Sequence, residues 1–177
     1  MKETITKLVN SRFACRQFND KPLAKETVLE IARLSTLSPS ACNSQPWKML
    51  VVCDEDKKSE AISALTDLGH NTFLEKAKAL IVLTEQQPKL KEFVSGRFER
   101  THFVKYDIGE LTAYITLIAK SYGVDSCIIG WINQEKLRSA LGYGEDEVCN
   151  IIVALGYSDL EPTPKKRKPF EETIKVI

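Results

Sequence analysis

Apolar and polar residues change their spacing repeatedly along the chain, which predicts a mixture of helices and short strands. Continuous apolar runs are typical of buried strands, whereas apolar residues three and four positions apart are typical of helices. The runs predict strands at 47–53, 78–84, 126–132 and 151–155. Helical spacing predicts helices at 3–9, 24–37, 56–68, 107–122 and 133–142. Because helices and strands do not alternate strictly, the pattern favours the α+β class over a doubly wound α/β fold.

The fourth predicted helix is the most apolar one. Asp107 is predicted to cap its first turn, and Glu110 follows three positions later, as in a capping box. Apolar residues cover more than half of its circumference, and Gly123 is predicted to end it. Such a helix is central to a fold or lies at a subunit interface. Gly69 is predicted to end the third helix in the same way.

Residues 85–106 have weaker periodicity, which leaves two interpretations open. The aromatic residues scattered through this segment are Phe93, Phe98, Phe103 and Tyr106. The segment either covers a ligand pocket or forms an ordinary surface helix and loop.

Length and composition predict one globular domain that spans residues 1–177. Hydrophobic residues make up 43% of the chain and charged residues 28%, which argues against extensive disorder. The formal net charge of +1 argues against a dedicated nucleic-acid-binding protein. No apolar run is long enough to span a membrane, and the first residues lack the apolar core of a signal peptide. We therefore expect a cytoplasmic protein that binds neither membranes nor nucleic acids, with its five cysteines reduced.

Several familiar catalytic motifs are missing from the sequence. The chain has neither a P-loop nor a G-x-G-x-x-G turn, so phosphate binding by either device is not expected. The two histidines, His70 and His102, are far apart and have no cysteine or carboxylate at metal-ligand spacing. We therefore predict no metal site.

Three separated segments carry residues suited to ligand binding. Residues 12–18 include Arg12 and Arg16, whose guanidinium groups suit a phosphate; the alternative is a pair of solvated surface arginines. Residues 39–47 concentrate hydroxyl and amide groups, which either bond the edge of a heterocyclic ring or form a turn with local hydrogen bonds. Residues 165–170 are basic, and form either a nucleic-acid patch or further cations for the anion at the two arginines.

The order of these segments resembles the nitroreductase family of FMN-dependent oxidoreductases. The N-terminal match is the R-x-x-x-R-x-F pattern at 12–18, and the most specific match is PSACNSQPW at 39–47. Further matches are GVDSCIIGW at 123–131, the closing LGY at 155–157 and the K-x-R-x-P pattern at 165–169. Together the matches run from about residue 5 to residue 175, which is nearly the whole chain.

The resemblance implies an α+β sandwich, in which helices flank a mostly antiparallel central sheet, and an intertwined homodimer with FMN at the interface. One subunit would hold the phosphate and ribityl end of FMN through residues from both ends of its chain: Arg12, Phe13, Ala14, Arg16, Lys165 and Arg167. The other subunit would pack against the flavin ring or bond its edge through Pro39, Ser40 and Asn43, with Gln45 supporting their loop. Ile129 and Gly130 would present backbone groups near the reactive ring nitrogen, and Asn71 would lie against the flavin.

The reaction that the resemblance implies takes place on the cofactor. NADH or NADPH would reduce the flavin, and a small acceptor such as a nitroaromatic or a quinone would then take the electrons in the same pocket. Because the flavin carries this chemistry, no catalytic side chain is expected from the protein. The family commonly has serine where this chain has Ala14, and arginine or histidine where it has Phe13. The change at Ala14 favours, as an alternative, a flavin-binding regulator or carrier without steady turnover.

Overall fold

A four-stranded antiparallel sheet forms the centre of the protein. The computed structural model describes residues 1–86 and 100–177. The strands are β1 Trp47–Val52, β2 Ala79–Glu85, β3 Asp125–Ile129 and β4 Cys149–Gly156. Their order in the sheet is β1-β2-β4-β3, and every neighbouring pair is antiparallel. The predicted α+β class and mostly antiparallel sheet are confirmed.

Helices cover both faces of this sheet. The helices are α1 Lys2–Ser11, α2 Lys25–Ser35, α3 Glu55–Ser63, α4 Arg100–Ser121, α5 Gln134–Leu141 and α6 Phe170–Thr173. Short 3-10 helices occupy Ala41–Asn43, Asp67–Gly69 and Thr72–Lys76. Among the described residues, no helix has the length and apolar character needed to cross a membrane.

Two hydrophobic cores lie on opposite faces of the sheet. Side chains of a strand alternate between faces, so Ile81 of β2 packs with α2 and α4 while Val82 packs on the side of α3 and α5. In β4, Val153 packs in the core with α2 and α4, and Ile152 packs in the core with α3 and α5. This burial on both faces is the reason that the central strands are continuously apolar in sequence.

Three predicted boundaries are wrong. Helix α4 begins at Arg100, so Asp107 lies inside it and does not cap it. The apolar stripe continues upstream through the buried Val104, and packing on the sheet extends the helix past the local capping signal. Helix α3 ends at Ser63, well before Gly69, because the chain turns there to bury Leu65 and then forms 3-10 helices.

The third wrong boundary is the end of β3. Residues 130–132 were expected to continue the strand, but pairing with β4 stops at Ile129, which lies opposite Ile152. The segment for which two interpretations were left open, 85–106, falls mostly at 87–99, outside the described residues. Its last part, including Phe103 and Tyr106, belongs to α4.

Candidate functional site

The arginine-containing segment after α1 runs beside the edge strand β3. Ala14 forms a parallel bridge with Ser126, and the backbone N–H of Cys15 donates to the carbonyl of Ser126 over 2.9 Å. Cys15 and Phe18 are buried, whereas Arg16 is exposed. The segment is therefore attached to the sheet through its backbone and its apolar side chains, which leaves its guanidinium groups available.

Packing explains the residue types at two motif positions that are distant in sequence. Gly156, at the end of β4, is buried beside the ring of Phe18. A Cβ atom at this glycine would lie 2.7 Å from Cδ1 of that ring, which is too close for any side chain. The ring of Phe18 in the N-terminal pattern therefore requires a glycine at position 156 in the closing LGY pattern. This contact holds the arginine-containing segment in place.

Phe13 has a charged neighbour on the other side of this segment. Its half-buried ring lies 5.4 Å from Nζ of Lys120, which also forms a 2.6 Å ion pair with Asp125 at the start of β3. The ring is thus held by a cation that is itself fixed to the sheet.

Three cationic side chains from the two ends of the chain line one cavity of about 760 Å³. They are Arg12, Lys165 and Arg167, and α4 forms part of the wall. Nζ of Lys165 donates to the carbonyls of Val9 and Asn10, at 2.8 and 2.7 Å, where α1 ends. Arg16 is not among the lining residues.

The charge of this cavity is not neutralised by the protein itself. Among residues 1–86 and 100–177, no carboxylate forms an ion pair with any of the three cations. Partial desolvation lowers the pKa of Lys165, and the neighbouring charges of Arg12 and Arg167 lower it further. An uncompensated cluster of this kind suits a phosphate group, because guanidinium and ammonium groups bind phosphate oxygens with charge-assisted hydrogen bonds. The donor set therefore fits the phosphate of FMN.

The polar loop at 39–47 lies between α2 and β1 and has an unusual backbone. Cys42, Asn43 and Gln45 have positive φ angles of 54°, 53° and 47°. The backbone N–H of Gln45 donates to Oγ of Ser40 over 3.0 Å, and Nε2 of Gln45 donates to the carbonyl of Asn43 over 3.2 Å. Asn43 and Pro39 are exposed. Internal hydrogen bonds hold the loop while its amide side chain at Asn43 projects outward.

This loop does not meet the cationic cavity within one chain. None of residues 39–47 lines that cavity, whose wall comes from the end of α1, from α4 and from the C-terminal segment. The loop instead contacts α4, where the backbone N–H of Ala41 donates to Oδ1 of Asp107 over 3.0 Å. This role of Asp107 is not evident from the sequence, because an aspartate at that position resembles a helix cap.

The remaining predicted residues gather at the end of β3. Ile129 is buried, and Gly130 is exposed immediately after it. Asn71 has a φ of 55°, and its Nδ2 donates to the carbonyl of Leu65 over 3.1 Å. The ring of His70, which precedes Asn71, lies 4.8 Å from the ring of Trp131. This aromatic contact, which the sequence did not reveal, brings Asn71 and Gly130 to the same side of the molecule.

Known proteins of similar sequence are oxidoreductases, and they define the class to which this chain belongs. A protein of Archaeoglobus fulgidus with the provisional name NADH dehydrogenase/NAD(P)H nitroreductase is 30% identical over 174 residues, which cover 96% of this chain and 91% of that protein. The model of the nitroreductase family matches residues 9–68 and 59–157. The chain belongs to the nitroreductase family, as the motifs indicated.

Solved structures share the fold along almost the whole chain. A nitroreductase family protein of Streptococcus pneumoniae superposes with a TM-score of 0.84 at 21% identity, covering 98% of this chain and all of that one (100%). A Staphylococcus epidermidis protein, provisionally named an NAD(P)H:FMN oxidoreductase, superposes with a TM-score of 0.81 at 20% identity, covering 97% and 95%. The architecture is therefore that of nitroreductase-fold proteins.

Proposed function

We propose that the protein is an FMN-dependent oxidoreductase that uses NADH or NADPH to reduce the flavin and then passes electrons to a small acceptor such as a nitroaromatic or a quinone. The observation that carries the proposal is a cavity with three cations, which no carboxylate of the described residues pairs, in a chain of the nitroreductase family. The names of the Archaeoglobus and Staphylococcus proteins support the nicotinamide donor and FMN.

The phosphate end of FMN is assigned to the cationic cavity. Arg12, Lys165 and Arg167 neutralise the phosphate there. Arg16, which is exposed and does not line the cavity, is assigned to the same phosphate by its place in the N-terminal motif. Phe13 contributes its fixed ring and Ala14 its backbone, since alanine has no polar side chain. When bound, FMN supplies the hydride and electron transfer, and the protein supplies binding and orientation.

The ring end of FMN is assigned to three further groups of residues. Pro39, Ser40 and Asn43 face it from the partner subunit, on a loop that Gln45 braces. Backbone groups of Ile129 and Gly130 lie beside the ring, and Asn71 presents its side chain. The loop is assigned to a partner subunit because none of its residues lines the cationic cavity of its own chain.

The same proposal includes a single domain that forms an intertwined homodimer. Helix α1 is amphipathic but buries none of its residues within one chain, and Ile5 is 55% exposed. Ile174, Val176 and Ile177 of the C-terminal segment are also exposed. Apolar surface of this kind is typical of an interface between subunits.

The five free cysteines support a cytoplasmic location, where thiols stay reduced.

A flavin-binding regulator or carrier is the second candidate function. The alanine at position 14 favours it, because the methyl group offers FMN no hydroxyl contact. Steady oxidation of NADH or NADPH with an added quinone or nitroaromatic distinguishes the two functions. The enzyme turns over many equivalents per flavin, whereas the regulator or carrier does not.

The first experiment is the visible absorbance spectrum of the purified protein and the mass of the chromophore released by heat. A yellow protein that releases FMN supports the proposal, and a colourless protein that takes up no added FMN overturns it.

Arg167→Ala should weaken FMN binding by about 1.5–3 kcal/mol, the contribution of one hydrogen bond to a charged group. Lys168→Ala is the matched control, because it removes a positive charge from an exposed neighbour outside the cavity.

The double variant Arg16→Ala/Arg167→Ala tests the assignment of the phosphate end. Its flavin content should fall well below that of either single variant, because two charges that face one phosphate are lost. Unchanged flavin content in the double variant would remove the phosphate site while leaving the family assignment intact.

A further inference from the structure

Asp107 joins the central helix α4 to the loop at 39–47. Its side chain is only 4% exposed, and its Oδ1 accepts the backbone N–H of Ala41 over 3.0 Å. The two residues are 66 positions apart in sequence, so this hydrogen bond is a tertiary contact and not part of a helix cap. It fixes one point of the loop against α4.

The second carboxylate oxygen of Asp107 carries a cost in stability. Oδ2 of Asp107 is buried, and no donor among residues 1–86 and 100–177 reaches it. A buried polar atom without a partner lowers the stability of a folded protein. Val104, Ile108 and Leu111 on the same helix are buried and apolar, so an apolar residue would suit position 107 better on packing grounds alone.

The loop needs an external support because its backbone is strained. Cys42 and Asn43 have φ angles of 54° and 53°, a region that residues other than glycine rarely adopt. Such conformations persist only where surrounding contacts hold them, and they concentrate at functional sites. Ala41 immediately precedes this left-handed pair, so the hydrogen bond from its amide to Asp107 anchors the backbone directly before the turn.

We propose that Asp107 is a positioning residue for the flavin site: it holds the amide of Ala41 and thereby sets the left-handed turn that directs Ser40 and Asn43 toward the flavin ring. The inference rests on the proposed function. Asp107 acts through the loop and does not itself contact cofactor or substrate.

Three variants test this role. Asp107→Leu keeps the branched shape and the number of side-chain heavy atoms but removes the acceptor, whereas Asp107→Asn keeps an oxygen for the Ala41 amide. Thr112→Val is the matched control, because Thr112 is a buried polar residue of α4 whose hydroxyl donates to the carbonyl of Ile108 within the helix. For each variant the measurements are the thermal midpoint, the Kd for FMN, kcat and KM with a quinone acceptor, and hydrogen exchange at the Ala41 amide.

Asp107→Leu should fold, raise the Kd for FMN about tenfold and accelerate exchange at Ala41 about tenfold, as loss of one such hydrogen bond predicts. Asp107→Asn should restore both values to within about threefold of the wild type, and Thr112→Val should change neither. Equal losses in Asp107→Leu and Thr112→Val would overturn the proposal, since both would then reflect general destabilisation. Wild-type binding in Asp107→Leu would also overturn it.

The exchange measurement separates this inference from the proposed function. If the wild type binds no FMN, the cofactor assignment fails, and exchange at Ala41 alone decides the role of Asp107. Unchanged exchange in Asp107→Leu then overturns the positioning role, and accelerated exchange supports it. If Asp107→Leu does not fold, Asp107→Asn decides: protection of the Ala41 amide at the wild-type level supports the role, and loss of that protection overturns it.

Discussion

Glu147 connects three segments at one end of the sheet through its carboxylate. Oε2 accepts the hydroxyl of the buried Thr84 in β2 over 2.6 Å, and Oε1 accepts Nζ of Lys48 in β1 over 3.0 Å. The hydrogen bond from Thr84, followed by those from Lys48 and Gly144, lowers the pKa of Glu147. A carboxyl group with a lowered pKa stabilises the fold above its unfolded-state pKa, and this contribution disappears as the pH falls through its folded-state pKa.

We predict that Glu147→Gln lowers the free energy of unfolding at pH 7 by about 1–2 kcal/mol, because a neutral amide bonds Thr84 and Lys48 less strongly. At a pH below the folded-state pKa, the wild type is also neutral at this position, so the difference should shrink. Urea unfolding at pH 7 and at progressively lower pH measures both values. Glu145→Gln, in the same turn but exposed, is the control and should match the wild type at pH 7. A difference that persists undiminished at low pH would contradict the electrostatic explanation.

Helix α3 shows how a single cap defines the start of an element. Oδ1 of Asp54 accepts the backbone N–H of Lys57 over 2.9 Å, which satisfies one of the free amides of the first turn. Asp54→Ala should lower the free energy of unfolding by about 1 kcal/mol. Asp56→Ala removes the same charge from the same turn without removing the cap, so the difference between the two variants isolates the hydrogen bond. Equal midpoints in chemical unfolding would show that only the charge near the helix dipole matters.

The elements that could be predicted from sequence are those whose burial produces a regular pattern. Strands β1, β2 and β4 are largely apolar runs with clear ends, and α5 carries both its Asn133 cap and the left-handed Gly142 that ends it. The start of α4 could not be predicted, because local capping residues at Asp107 imitate a helix start that tertiary packing overrides. The end of β3 depends on where its pairing with β4 stops. No residue near that point in the sequence indicates this position.

The candidate site could also be predicted only in part from the sequence. Its residue types could be recognised from the motifs at 12–18, 39–47 and 165–169. That Arg12 and Lys165 line one cavity could not be predicted from spacing, because they are 153 positions apart and meet only through the folded chain. The hydrogen bond between Ala41 and Asp107 is non-local for the same reason. Motifs identify residue types, and packing determines which of them meet.

At the scale of the whole molecule, a single chain supplies only separate parts of the proposed flavin site, and it leaves the apolar face of α1 uncovered. We predict that the protein in solution has twice the 20.0 kDa mass of one chain at micromolar concentration. Ile5→Glu should shift the equilibrium toward the monomer and release flavin, because it places a charge on the uncovered apolar face of α1. Sedimentation velocity measures the mass, and absorbance measures the flavin.

Thr4→Glu is the control for this experiment, since it adds the same charge at an exposed polar position of the same helix. A monomeric wild type that still binds FMN tightly would show that one chain completes the site alone. The assignment of the loop at 39–47 to the partner subunit would then be wrong.

The five cysteines differ sharply in accessibility. Cys42, in the strained loop, is exposed, whereas Cys15, Cys127 and Cys149 are buried. Burial raises the pKa of Cys149 to about 12, so its thiol stays protonated and unreactive under ordinary labelling conditions. A maleimide dye added to the unaltered protein would therefore attach first within the segment assigned to the flavin ring. Its fluorescence would report arrival of the cofactor without any engineered attachment point.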